Sequence, residues 1–213
     1  MINRGLFITF EGGEGAGKTT LIERMGEKLR SDGIAVVKTR EPGGTHLGEG
    51  VRHLLLEPSQ VAVSPYAELC LFLASRAQHI KEVIEPALEQ KKVVLCDRFN
   101  DSTIAYQGEA RGLGMKEVAH FCDFICQGVQ PNLTFYLDID PSIGLKRAEN
   151  RGNAPDRMES EKIAFHKKIR EAYHKMHEQQ PSRIHLLDAQ KPAQEVFDQA
   201  MGHLERYLQK AHV

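Results

Sequence analysis

Residues 12–19 read Gly12-Gly13-Glu14-Gly15-Ala16-Gly17-Lys18-Thr19, set between an apolar run and a helical pattern. Leu6-Phe7-Ile8-Thr9-Phe10 comes first; Leu21, Ile22, Met25 and Leu29 recur afterwards at helical spacing. A strand, then G-x-x-x-x-G-K-[ST], then a helix start is the context in which that motif cradles phosphate. Its glycines let backbone N–H groups curl around phosphate oxygens, and the new helix adds unpaired amides and a favourable dipole. Lys18 is expected to reach the β- and γ-phosphates, and the Thr19 hydroxyl to hold Mg²⁺. Gly12 to Thr19 therefore read as a binding loop for a nucleoside triphosphate, taken below to be ATP.

The rest of the chain is consistent with such a start. Short, mostly continuous apolar runs at 6–11, 34–39, 92–97, 133–138 and 183–188 suit strands buried on both faces. Helical patterns fill 18–31, 47–57, 64–89, 115–127, 141–150, 160–179 and 192–210. Pro65 after Ser64 and Pro141 after Asp140 mark helix starts, and Pro86 is placed to kink the long helix. The alternation predicts an α/β fold of the P-loop NTPase type: a five-stranded parallel sheet flanked by helices on both faces. Residues 1–213 are read as one domain, without internal repeat, linker or low-complexity segment. The stretch 147–160 is polar and turn-rich, and is expected to be a short lid carrying arginines onto the phosphate site.

Composition narrows the class. Lys+Arg 28 against Asp+Glu 29 gives a net charge of −1. No global field then recruits nucleic acid or an anionic membrane, and phosphate must be met by locally gathered cations. Cys70, Cys96, Cys122 and Cys126 form no C-x-x-C pair and are expected as buried free thiols in a reducing compartment. Cys122 and Cys126 share a helix face, read as lying beside Phe121 and Ile125. The N-terminus enters the first strand almost at once, so no signal peptide is expected, and no apolar run approaches membrane-spanning length. A cytoplasmic protein is expected.

Two further strand ends point into the same crevice. Val93-Val94-Leu95-Cys96-Asp97-Arg98 is a buried strand closing on a carboxylate, where Asp97 would meet the Mg²⁺ shell. An ion pair between Asp97 and Arg98 is disfavoured because strand neighbours point to opposite faces. Thr39-Arg40-Glu41-Pro42-Gly43-Gly44-Thr45 ends another strand in a tight turn, and the Arg40 guanidinium suits a pair of phosphate oxygens.

From here the residues resemble a known family over nearly the whole chain. Phe7 to Thr20, Arg40 to Thr45, Phe72-Leu-Ala-Ser-Arg76 and Asp97 to Gln107 are similar to bacterial thymidylate (dTMP) kinases. So are Gly144 to Arg147, Arg151-Gly152, Asp156 to Glu159 and Asp188-Ala189, in the same order. The resemblance implies that Phe72 stacks on the thymine ring while Arg76, one helical turn on, donates to a base carbonyl. It implies that Ser102, Thr103 and Gln107 line the base and phosphate pocket. Tyr106 would crowd the ribose 2′ position, Glu14 would meet the acceptor's 3′-hydroxyl, and Arg40 and Arg98 would hold the monophosphate. No arginine stands inside residues 12–19, so the chain resembles the subtype that supplies this charge from the lid. Arg151 is the best candidate, with Arg147 and Arg157 as alternates. The family is typically a homodimer packed through helices, and the apolar faces of 47–57 and 64–89 are candidate surfaces.

The implied reaction passes the γ-phosphoryl group of Mg²⁺–ATP to dTMP, giving ADP and dTDP for dTTP synthesis. The acceptor is already an oxyanion near neutral pH, so Lys18, Arg98 and Arg151 act by position and charge rather than as bases. A deoxynucleoside kinase is the nearest rival; its hydroxyl acceptor needs a base, and Glu41 is the candidate. A GTPase switch would need a guanine-reading N-K-x-D segment, which the sequence lacks. A non-catalytic protein with a relic loop sits badly with intact Lys18, Thr19 and Asp97.

Overall fold

A computed structural model describes residues 5–57, 62–150 and 156–211. Five strands form one parallel sheet: β1 (Leu6–Glu11), β2 (Val36–Arg40), β3 (Val93–Asp97), β4 (Leu133–Asp138) and β5 (Ile184–Asp188), in the order β2-β3-β1-β4-β5. From β1 the chain crosses β3 to reach β2, whereas from β3 it crosses β1 to reach β4. The crossovers therefore diverge between β1 and β3, which opens a crevice beyond their C-terminal ends. Register brings functional residues to that edge: Arg40 lies opposite Asp97, and Asp97 opposite Phe10.

Strand alternation divides β1 between two cores. Leu6, Ile8 and Phe10 pack with Leu21, Met25 and Leu29 of α1 (Lys18–Ser31) and with Val196, Ala200 and Leu204 of α9 (Ala193–Ala211). Phe7 faces the other way, onto Ile80, Ile84, Val94 and Phe99. The same second face carries Thr9 and Glu11, both fully buried, with Thr9 hydrogen-bonded to Thr134 at 2.8 Å. The seemingly continuous apolar run thus hides one polar edge, which leads into the site.

Element positions follow the expected pattern apart from a few differences, among them a later start for the helix expected over 160–179, which begins at Ile163. Strand β2 begins at Val36 rather than 34, because the Ile34 N–H closes the end of α1 on Leu29 O at 2.9 Å. The long helix is three pieces: α3 (Pro65–His79), a π-helical turn (Ile80–Ile84) and α4 (Glu85–Glu89). Pro86 has no N–H to give to the fourth carbonyl back and its ring crowds that group; the wider turn just before it relieves both. Residues 100–110, where no helix was expected, form α5 (Asn100–Thr103) and a π-helical run (Ile104–Ala110). Their Asn-Asp-Ser-Thr start looks like a turn in sequence, and a π register breaks the 3.6-residue period that reveals amphipathic helices.

The remaining helices are α2 (His46–Leu56), α6 (Met115–Cys126), α7 (Pro141–Glu149) and α8 (Ile163–Gln179). Ser64 and Asp140 cap their helices through side-chain oxygens, as the Ser-Pro and Asp-Pro pairs imply. Cys96, Cys122 and Cys126 are buried free thiols, but Cys70 of α3 is exposed. Phe121 does not share the buried face of its cysteine neighbours: it is 54% exposed, and Phe124 is 78% exposed. No helix among the described residues is long and apolar enough to cross a membrane.

Candidate active site

The loop after β1 is built by close backbone approach. Gly15 has φ +68, and a Cβ there would lie 2.1 Å from the carbonyl oxygen of Gly144 in α7. The approach is mutual, since a Cβ on Gly144 would stand 2.3 Å from the Glu14 carbonyl oxygen. Gly17, at φ 93, then turns the chain into α1. The Lys18 ammonium donates to Gly12 O at 3.1 Å and Gly13 O at 3.2 Å. Burial, then the nearby Arg98 charge, lowers its pKa. Thr19, one residue on, is exposed at the cleft.

At the end of β3 the chain turns through a left-handed residue, Arg98, at φ 68. For a residue with a Cβ this costs of order 1 kcal/mol, and it brings Asp97 and Arg98 to one cleft instead of opposite faces. The Arg98 guanidinium donates to Glu14 Oε1 at 2.5 Å and Ser102 Oγ at 3.3 Å, and lies 5.0 Å above the Tyr106 ring. Among the described residues Asp97 Oδ1 is buried with no hydrogen-bond partner. This carboxylate and the Thr19 hydroxyl line the same cavity, a hard-oxygen donor set that fits a divalent cation.

Two carboxylates three residues apart have opposite environments. Burial alone would raise the Glu14 pKa, but Arg98 and Lys18 pull it down to about 2. Glu11 lies beneath, where burial and then Asp101 push it up to about 7. It accepts from the Phe99 N–H at 2.8 Å, Ser102 Oγ at 2.5 Å and Tyr173 OH at 2.8 Å. The Ser102 hydroxyl, expected to face a ligand, is therefore engaged mainly in bracing Glu11 and Arg98. Tyr106 packs edge-on against Phe165.

The far wall comes from α2, α3 and the 100–110 segment. Phe72 is half-buried and lines the cleft with Arg76, Thr103 and Gln107. Arg76 is buried to 1% exposure, donating through Nε and Nη2 to Glu41 Oε2 at 2.8 and 2.7 Å, and through Nη2 to Thr103 Oγ1 at 3.0 Å. Glu41 Oε1 meets His79 Nδ1 at 2.8 Å, and His79 Nε2 meets Thr39 Oγ1 at 2.6 Å. Both Glu41 oxygens are thus engaged, and it is the anchor of Arg76 rather than a poised base. Arg40 is exposed at the cleft, held by Glu49 Oε2 at 2.9 Å; Glu49 Oε1 also accepts from the Gly44 N–H.

Gly12 lies under this cleft against the sheet, and Gly13 faces a smaller cavity bounded by Tyr136, His166 and Tyr173. The lid arginines separate. Arg151 lies outside the described residues. Arg147 ends α7 on the other side of the loop, donating to Ala189 O at 2.9 Å beside a cavity that also takes in Gly17, Arg24 and Lys191. Arg157 is held by Leu55 O at 2.7 Å and Glu68 Oε2 at 2.5 Å, so it fixes the end of the segment to the body. Residues 147–149 are the last turn of α7, and Asp156 begins a turn by accepting from the Met158 and Glu159 N–H groups. Glu11, Glu41, Glu49 and Glu68 received no structural role from sequence, because a carboxylate's partners become visible only once distant segments pack.

Comparisons with known proteins agree with this fold. A family model described as thymidylate kinase matches residues 10–200. The thymidylate kinase of Protochlamydia amoebophila is 50% identical over 95% of this chain and 93% of its own. That of Clostridium novyi is 44% identical over 96% and 100%. A solved structure of thymidylate kinase from Ehrlichia chaffeensis superposes with a TM-score of 0.75 at 33% identity, covering 94% of this chain and 99% of that one.

Proposed function

The chain belongs to the thymidylate kinase family, and on that premise we propose how its cleft passes the γ-phosphoryl group of ATP to dTMP, giving ADP and dTDP. The observation that carries the assignment is the junction of two half-sites. The Gly12–Thr19 loop and the Arg76–Glu41 pocket meet at Arg98, which is joined to Glu14 of the loop and lines the pocket wall.

Residues 12–19 hold the donor triphosphate, Lys18 neutralising its terminal phosphates. The donor's adenosine extends toward the cavity by Arg24, Arg147 and Lys191. Mg²⁺ is the divalent ion that Thr19 and Asp97 would hold, Asp97 through water, and it would neutralise charge on the bridging oxygens. Phe72 and Arg76 hold the thymine, with Thr103 and Gln107 alongside. Arg40 and Arg98 grip the acceptor phosphate, and Ser102 keeps Arg98 aimed. Glu14 meets the 3′-hydroxyl, its carboxyl staying ionised because Arg98 and Lys18 face it. Tyr106 closes the sugar side. Arg98 is fixed before substrate arrives, so its charge stabilises the transferring group without reorganisation. Arg151 in the 147–160 lid supplies the remaining transition-state charge. Residues 1–213 act as one domain in the cytoplasm.

A homodimer is supported by an exposed apolar face. Leu54 of α2, Tyr66 of α3, and Phe121 and Phe124 of α6 are all exposed, and α3 packs on both α2 and α6. Association through that face would remove the apolar surface from water.

Purified protein offered dTMP and thymidine side by side, with ADP release as readout, tests the acceptor assignment. Turnover of dTMP alone is expected. Faster turnover of thymidine would overturn it.

A further inference from the structure

Glu68 of α3 is fully buried yet ionic, and holding Arg157 engages only one of its oxygens. Its Oε1 accepts from Gln107 Nε2 at 2.8 Å and Arg111 Nε at 3.1 Å. Its Oε2 accepts from Arg111 Nη2 at 3.3 Å and Arg157 Nη2 at 2.5 Å. Burial opposes the charge, but the Gln107, Arg111 and Arg157 donors outweigh it and keep the carboxyl below its ordinary range. An ionised carboxylate only accepts, so the Gln107 amide has one allowed orientation: its NH₂ branch faces Glu68. The other branch, Oε1, is then what this cleft-lining side chain offers to a ligand beside Phe72 and Arg76.

We propose that Glu68 is a specificity-positioning residue: by locking the Gln107 amide it presents an acceptor to the base, selecting pyrimidines whose N3 bears hydrogen over cytosine. Thymine and uracil carry an N3–H, whereas N3 of cytosine is an acceptor, so an acceptor in the pocket pairs with the former and opposes the latter. The inference rests on the dTMP reading of the cleft and concerns how that pocket rejects a wrong base. Glu68 does not touch the substrate; it acts through Gln107.

Replacing the carboxylate by an amide makes the consequence specific. In Glu68→Gln the single carbonyl oxygen is drawn to the Oε2 position, where two guanidinium groups converge. The NH₂ then falls at the Oε1 position and faces Gln107. To avoid opposing donors the Gln107 amide turns over, and a donor now meets the base.

The test compares kcat/KM for dTMP and dCMP with ATP in the full chain and its variants. Where dCMP turnover is slow, its inhibition of dTMP turnover gives the second term. Glu68→Gln is expected to narrow the dTMP/dCMP preference about tenfold, the effect of one hydrogen bond gained or opposed. Arg111→Lys disturbs the same cluster without contacting the amide and should leave the ratio as in the wild type. In a Gln107→Leu background Glu68→Gln should no longer move it. An unchanged ratio in Glu68→Gln, an equal shift in Arg111→Lys, or a shift persisting without the amide overturns the proposal. Should Glu68→Gln be insoluble, Glu68→Asp keeps the charge but withdraws the carboxylate by one methylene; it should narrow the ratio by a smaller factor, and no narrowing counts against the idea. Wild-type protein inactive on dTMP would instead defeat the reading of the cleft itself.

Discussion

Replacing Glu41 by Gln separates a structural anchor from a catalytic base. Glu41 and Arg76 are 4% and 1% exposed, and the carboxylate meets three donors within 2.8 Å: Arg76 Nε, Arg76 Nη2 and His79 Nδ1. Removing the charge leaves the Arg76 guanidinium buried without its counter-ion, a change that costs about 3–5 kcal/mol in comparable pairs. Gln keeps one acceptor, so the lower figure applies. For a domain of this size each kcal/mol moves the melting temperature by roughly 2–4 °C, and Tm should fall by about 6–12 °C. Arg76 also lines the acceptor pocket, so KM for dTMP should rise more than kcat falls. Thermal unfolding followed by calorimetry, with steady-state kinetics on the same preparation, reads both quantities. A Tm within about 2 °C of wild type together with a kcat lowered about a thousandfold would refute the reasoning, because that is how the loss of a general base behaves.

Gly144→Ala sets a methyl group 2.3 Å from the Glu14 carbonyl oxygen, so α7 and the phosphate loop must part; overpacking of this kind should raise KM for ATP about tenfold, with KM for dTMP much less affected. Glu11 should make stability fall with rising pH: its folded-state pKa of about 7 exceeds the ordinary 4.5, so between those values the native protein holds a proton that the unfolded chain has released. Glu11→Gln, which cannot ionise, should therefore lose less Tm between pH 4.5 and 7 than wild type, and parallel curves would exclude the effect. Arg151→Ala should lower kcat far more than it raises KM for dTMP, because its contact belongs to the transition state; a rise in KM alone would make it only a binding residue.

Local physics made much of this legible early. The strand-loop-helix unit at residues 6–31, the capped starts at Ser64 and Asp140, and five strands all depend on neighbours in sequence, and each appears within about two residues of its expected place. The edge strands depart from the expected burial on both faces, β2 being half-buried to exposed and β5 partly buried. Residues 100–110 carry no helix signal in sequence, because their π register over 104–110 lacks the period by which helices announce themselves. Arg157 is an alternate for the lid charge by its place in the 147–160 stretch and by the family resemblance; its ion pair with Glu68, 89 positions away, holds it in a fastening role.

The sequence by itself determined that a triphosphate loop, an acidic strand end and a set of arginines share one edge of a parallel sheet, because strand direction and helix starts are short-range properties. Tertiary structure alone decided which charge answers which. Glu11 and Glu14 are the same residue type three positions apart, yet burial beside Asp101 raises one to about 7 while Arg98 and Lys18 hold the other at about 2. Arg98 reaches Glu14 only because β3 lies beside β1 and the chain there accepts a left-handed turn. Desolvation and Coulomb forces depend on distance in space, and distance in space is set by the packed sheet rather than by the order of residues along the chain.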